Sequence, residues 1–210
     1  MKKIAIIAFL LAVCVAAGRA QESRQDISLS GDAFMYYHIN SPADVYVGAN
    51  TPKGALVSYR FMLTPSSALE ANYGMTYQNT FHYTVNPYPN GIKVLARTQE
   101  ISAAYVRSFN YRKFNPFVEV GPAGLIFMPI RNSGTDVMGT SRQTEIGFLY
   151  GAGFAYEISP SFDVRGEYRG IITKVPDFGL GATSGNTIDL NSNRWYKTVS
   201  VPTIGIAYHF

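Results

Sequence analysis

The chain is poor in the features that most enzymes and soluble domains rely on. It has one cysteine in 210 residues, three histidines and only 15% charged residues. No segment keeps a helical period for any length, and no internal apolar run approaches the about 20 residues a membrane helix needs. The lone cysteine, Cys14, falls in an amino-terminal segment that reads as a targeting signal: Lys2 and Lys3, an apolar stretch from Ile4 to Ala17, then Gly18-Arg19-Ala20 suited to cleavage before Gln21. Val13 before Cys14 is too large for a lipoprotein processing site. Residues 1–20 are therefore expected to be removed, leaving 21–210 as one domain without disulfides or thiol chemistry. Losing Lys2, Lys3 and Arg19 takes Lys+Arg from 18 to 15 against 14 acids, so the formal charge falls from +4 to +1. That leaves no electrostatic case for nucleic-acid binding.

What is abundant is alternation. Ile27, Leu29, Ala33, Met35 and Tyr37 alternate with Ser28, Ser30, Asp32 and Tyr36. Ala55, Val57, Tyr59, Phe61 and Leu63 oppose Ser58 and Arg60, and Leu69, Ala71, Tyr73, Met75 and Tyr77 oppose Glu70, Asn72, Thr76 and Gln78. A fourth segment, 96–109, sets Ile101, Ala103 and Tyr105 against Glu100, Ser102 and Ser108; its parity is weakest, because Ala104 and Val106 fall on the polar side. Residues 117–127 put Val118, Val120, Pro122 and Ile126 opposite Glu119. Ile146, Phe148, Tyr150, Ala152, Phe154 and Tyr156 oppose Glu145, Gly147, Gly151, Gly153 and Glu157. Phe162, Val164, Tyr168 and Ile172 oppose Asp163, Arg165, Glu167 and Arg169, and residues 199–210 form the eighth segment. A period of two is the signature of a strand with one apolar and one polar face.

The connections alternate as well. Thr64 to Ser67, Asn110 to Pro116 and Ser159 to Ser161 are tight, whereas 40–53, 84–93, 128–141 and 173–196 are long and rich in Gly, Pro, Asn and Ser. Aromatics gather near the tight turns (Phe61, Tyr105, Phe109, Tyr111, Phe114, Tyr156, Phe162, Tyr208, Phe210), with Tyr83, Trp195 and Tyr196 near the other rim. Such girdles mark membrane interfaces. The chain closes on Gly205-Ile206-Ala207-Tyr208-His209-Phe210, preceded by polar Thr203. With the eight strands and the turn pattern, this ending resembles the OmpA/OmpX-like family of bacterial outer-membrane barrels. The expected fold is all-β: an eight-stranded antiparallel up-and-down transmembrane barrel with short periplasmic turns, four longer extracellular loops and both termini periplasmic. The resemblance implies that Thr203, Gly205, Tyr208 and Phe210 form the signal read by the barrel-assembly machinery. It also implies outer-membrane lipids, including lipopolysaccharide, as surroundings. No peptidoglycan-binding domain is expected, and a monomer is.

The inward set Asp32, Arg60, Glu70, Glu100, Glu119, Glu145, Arg165, Glu167 and Arg169 mixes both signs inside a tube only just wide enough for its side chains. A mutually paired plug is the expectation, with Arg165 and Arg169 neutralising acids such as Glu119 and Glu145, so that Glu119→Gln or Arg165→Ala would each lower stability. A narrow ion or small-solute channel is the alternative reading. Enzyme chemistry has little footing. Glu119 and Glu145 beside arginines make no glycosidase pair. His38 and His82 are followed two residues later by Asn40 and Thr84, so neither has the His-x-Ser neighbourhood of the lipid A deacylases, and His209 lies at the opposite end. Dispersed histidines without cysteine suggest no metal, and the glycines of 179–185 open no helix that could cradle a phosphate or cofactor. The expected role is non-enzymatic, a membrane anchor whose loops make surface contacts.

Overall fold

The computed structural model describes residues 25–36, 39–40, 46–85, 88–130, 141–176, 178 and 196–210. Residues 1–24, where the targeting signal is expected, most of the long loops, and His38 and Trp195 lie outside the described residues. Eleven strands occur among them: β1 (Gln25–Ala33), β2 (Ile39–Asn40), β3 (Tyr46–Ala49), β4 (Lys53–Thr64), β5 (Ser67–Thr76), β6 (Asn79–Val85), β7 (Tyr88–Ser108), β8 (Phe114–Pro129), β9 (Gln143–Ser159), β10 (Phe162–Lys174) and β11 (Tyr196–His209). Eight of them close a ring in the order β1-β4-β5-β7-β8-β9-β10-β11 and back to β1, every pairing antiparallel. The remaining three extend the sheet past the ring at the long-loop end: β6 pairs with the first part of β7, β3 with β6 and β2 with β3.

The ring closes where the two ends of the chain meet. β1 runs beside β11 from Asp26 opposite His209 to Asp32 opposite Thr203, and the Phe210 N–H donates to the Gln25 carbonyl at 3.1 Å. Gly205 is required at this seam, because a Cβ there would collide with the Ser30 side chain and backbone and with the Leu29 carbonyl. Tyr208 packs against Phe162 with ring centres 5.1 Å apart and stacks on Phe210 at 6.1 Å.

The period-two sequence sorts side chains as expected. Along β1 and β5 burial alternates residue by residue, with Leu29, Leu69 and Tyr73 exposed while Ser28, Glu70 and Asn72 are buried. The outer face carries Phe148, Tyr150, Ile204 and Ile206 in the open, and Phe61, Tyr105, Phe109, Tyr111, Phe114, Tyr156 and Phe162 are exposed toward the tight-turn end. Apolar outside and charged inside is the inverse of a soluble barrel, and it suits a wall whose solvent is hydrocarbon. Ala104 and Val106, the awkward pair of the fourth segment, do face inward: the lumen there is partly apolar.

Candidate functional site

The lumen is filled in three tiers. Nearest the tight turns, Phe117, Val106 and Ala68 are buried together, with Met62 packed against them. The Arg60 guanidinium lies over the Phe117 ring, 4.7 Å from its centre, and leads into the second tier. There Arg60 Nε donates to Glu70 Oε2 at 2.6 Å. Arg165 donates to both oxygens of Asp26 at 3.1 Å, and its other nitrogen stands 3.8 Å from Glu70. Arg169, completely buried, serves three carboxylates: Glu100 at 2.7 and 3.2 Å, Glu119 at 3.3 Å and Glu167 at 3.1 Å, together with the Ser102 hydroxyl at 3.1 Å. Glycines on β9 make the space, since a Cβ at Gly151 would stand 2.5 Å from Glu119 Oε1.

The third tier, toward the long-loop end, is aromatic. Phe81 meets Phe127 at 5.8 Å and Phe178 at 5.4 Å, edge to face, over Phe34, Leu125, Leu149, Ile171 and Val199. Phe178 reaches this place from the chain beyond β10. Its N–H donates to Gln143 Oε1 at 2.9 Å and its carbonyl accepts from the Ser141 N–H at 3.0 Å, with a left-handed backbone (φ 52°). The cavity left beside it, lined by Tyr36, Phe81, Phe127, Thr173 and Val199, has about 30 Å³. At about 10–15 Å³ for each water, that is room for about two.

Of the residues singled out in the sequence, Arg60, Glu70, Glu100, Glu119, Arg165, Glu167 and Arg169 converge in the middle tier. Two do not join it. Glu145 is only half-buried, stands beside Leu125 on the apolar third tier, and accepts from Gln143 Nε2 at 2.5 Å; the expectation that an arginine neutralises it is corrected, because among the described residues no arginine pairs with it and its bond goes to the Gln143 amide. Asp32 is buried without a hydrogen-bond partner for either oxygen. In the carboxy-terminal set, Thr203 faces the lumen while Gly205, Tyr208 and Phe210 build the seam. Sequence reasoning missed Asp26, which precedes the first clear alternation, and did not connect Asp163 with His209, whose Nε2 lies 2.8 Å away.

The signs are out of balance. Among the described residues seven buried acids, Asp26, Asp32, Glu70, Glu100, Glu119, Asp163 and Glu167, face three buried arginines. Arg165 and Arg169 are each shared between acids, and Glu119 Oε2 has no hydrogen-bond partner.

With that lumen and an apolar outer wall in view, the match to known proteins is direct. Residues 5–210 fit the family model described as outer membrane protein beta-barrel domain. The chain belongs to that family. Among solved structures the barrel is similar to the outer membrane protein OprG of Pseudomonas aeruginosa (TM-score 0.63, 11% identity, 90% of this chain and 97% of that one). It is similar to Neisserial surface protein A (0.52, 15%, 90% and 98%). It is similar also to Ail, the attachment invasion locus protein of Yersinia pestis, in complex with the heparin analogue sucrose octasulfate (0.51, 15%, 90% and 100%). At these identities the likeness is one of fold. No curated protein matches the sequence.

Proposed function

We propose that this outer-membrane barrel is a non-enzymatic anchor that holds surface-interaction loops outside the cell. The observation that carries the reading is the obstructed lumen. An aromatic tier, a salt-bridged tier and the Phe117 tier follow one another along the axis, and a cavity with room for about two waters is a poor start for a solute path. With the interior closed, the long connections are the part of the molecule free to differ chemically, and Ail, a barrel of similar fold, is an attachment invasion locus protein crystallised with a heparin analogue. In this reading the tight turns and both termini face the periplasm, lipopolysaccharide and phospholipid surround the wall, the Tyr208–Phe210 seam is what the assembly machinery recognises, and the barrel works as a monomer.

The test is conductance. Purified protein in planar bilayers is expected to give no steady ohmic current. Stepwise openings whose reversal potential moves in Glu119→Gln would replace the anchor with a cation-preferring channel, the reading that an acid-rich lumen would then support.

A further inference from the structure

The middle tier gathers more negative charge than its arginines can neutralise. Among the described residues Asp26, Glu70, Glu100, Glu119 and Glu167 outnumber Arg60, Arg165 and Arg169 by two, before Asp32 is counted. An uncompensated buried charge is among the costliest things a fold can hold. Two further observations indicate where compensation enters. Glu70, Glu119 and Glu167, from β5, β8 and β10, each bring one carboxylate oxygen within 4.8 Å of the other two. That span is twice the calcium–oxygen distance of about 2.4 Å. Independently, Asn72 is 4% exposed, and neither its carbonyl oxygen nor its amide nitrogen has a hydrogen-bond partner. Asn72 lies on the inner face of β5, one inward position beyond Glu70, and is paired across the sheet with Ser102, whose hydroxyl bonds Glu100 and Arg169. A buried carboxamide on the same inner face as Glu70, with no protein group to bond, is free to bond a ligand of the tier.

We propose that the lumen binds one divalent cation between Glu70, Glu119 and Glu167, with the Asn72 carboxamide contributing a neutral oxygen. An all-oxygen donor set with no histidine or thiolate favours a hard ion, and the span favours calcium over the smaller magnesium. One divalent ion cancels the residual charge of the tier. The arginines fit this arrangement: Arg60 and Arg165 hold Glu70 from one side and Arg169 holds Glu119 and Glu167 from another, fixing the carboxylates at the ion's span while Glu119 Oε2 stays open to it. Because three separate strands supply the ligands, the site exists only in the closed barrel, and binding is coupled to folding.

The test uses the mature protein refolded in detergent with a chelator and then dialysed against calcium. Elemental analysis is expected to find one calcium per barrel, and the urea midpoint is expected to rise with calcium concentration. Glu119→Gln should weaken binding at least about tenfold and Asn72→Ala should weaken it measurably. Glu145→Gln, outside the cluster, should bind as the parent does. Heat-modifiable gel mobility checks that each variant folds, and if Glu119→Gln does not, Asn72→Ala decides. No bound calcium at millimolar concentration would overturn the proposal, as would calcium that Glu119→Gln and Asn72→Ala both leave undiminished, which would place the ion elsewhere. An infrared band of protonated carboxyl that persists at saturating calcium would also overturn it, since protons would then be balancing the acids.

Discussion

Replacing Arg169 by Met tests the reading of the lumen most severely. The guanidinium is fully buried and is the cation nearest to three carboxylates, Glu100, Glu119 and Glu167, while also donating to Ser102. Removing one member of a buried ion pair costs about 3–5 kcal/mol. Three acids lose their partner here, so the upper end, about 5 kcal/mol, is expected. With a urea slope of about 2 kcal/mol per molar, the midpoint in lipid vesicles should fall by about 2.5 M. Adding Glu100→Gln removes the acid bound most closely, at 2.7 Å, and should restore about 2 kcal/mol. Glu119→Gln behaves differently from the sequence expectation. In a lumen already over-supplied with acids, and measured in chelator, neutralising one acid should change stability by less than about 1 kcal/mol. An Arg169→Met barrel within about 1 kcal/mol of the parent, or Glu119→Gln as damaging as Arg169→Met, would show that the tier is wet and screened, and the argument from burial would fail.

Other outcomes follow from the wall and the seam. The folded barrel should run faster unheated than boiled on a detergent gel, because a closed ladder offers no edge from which unfolding can start; equal mobility would contradict closure. Arg in place of Phe148, Tyr150 or Ile204, all exposed on the outer face, should cost about 2–4 kcal/mol near the midplane, whereas tolerance at all three would reverse the assignment of faces. Gly205→Val should block pairing of β1 with β11, read as loss of the heat-modifiable band, and a folded Gly205→Val barrel would show that the seam can shift. Polar residues at Tyr208 and Phe210 should leave export intact but reduce insertion; normal levels of folded double variant in the membrane would remove their role in assembly.

Strand number, facing and the site of closure were legible because each rests on a period of two and on turn length, which are local properties of the chain. Lumen contents were legible only by parity. Asp163, Arg165, Glu167 and Arg169 announce their common face, but which acid each arginine meets depends on strand stagger, and no single strand encodes it: Arg169 and Glu119 lie on β10 and β8, with β9 between them. Glu145 shares a face with Gly151 but stands three inward positions further along the axis, among leucines. The aromatic tier was obscured because inward Leu125, Phe127 and Leu149 look outward to an eye that equates apolar with lipid-facing. The acid cluster went unread as a metal candidate because histidine and cysteine spacing is visible along a chain, whereas carboxylates from three strands come together only in the folded ring.

At 21 residues β7 is far longer than a membrane crossing requires. With about 3.3 Å per residue and a tilt of about 40°, it rises about 50 Å along the barrel axis, of which an apolar band of about 25 Å accounts for half. The other half is paired to β6, and β6 in turn to β3, so what stands above the membrane on this flank is continuous sheet. A contact made at its tip is thus held at a fixed height, about 25 Å clear of the hydrocarbon. Shortening the β6–β7 hairpin by whole residue pairs would lower that tip like a mast, without touching the wall that anchors it.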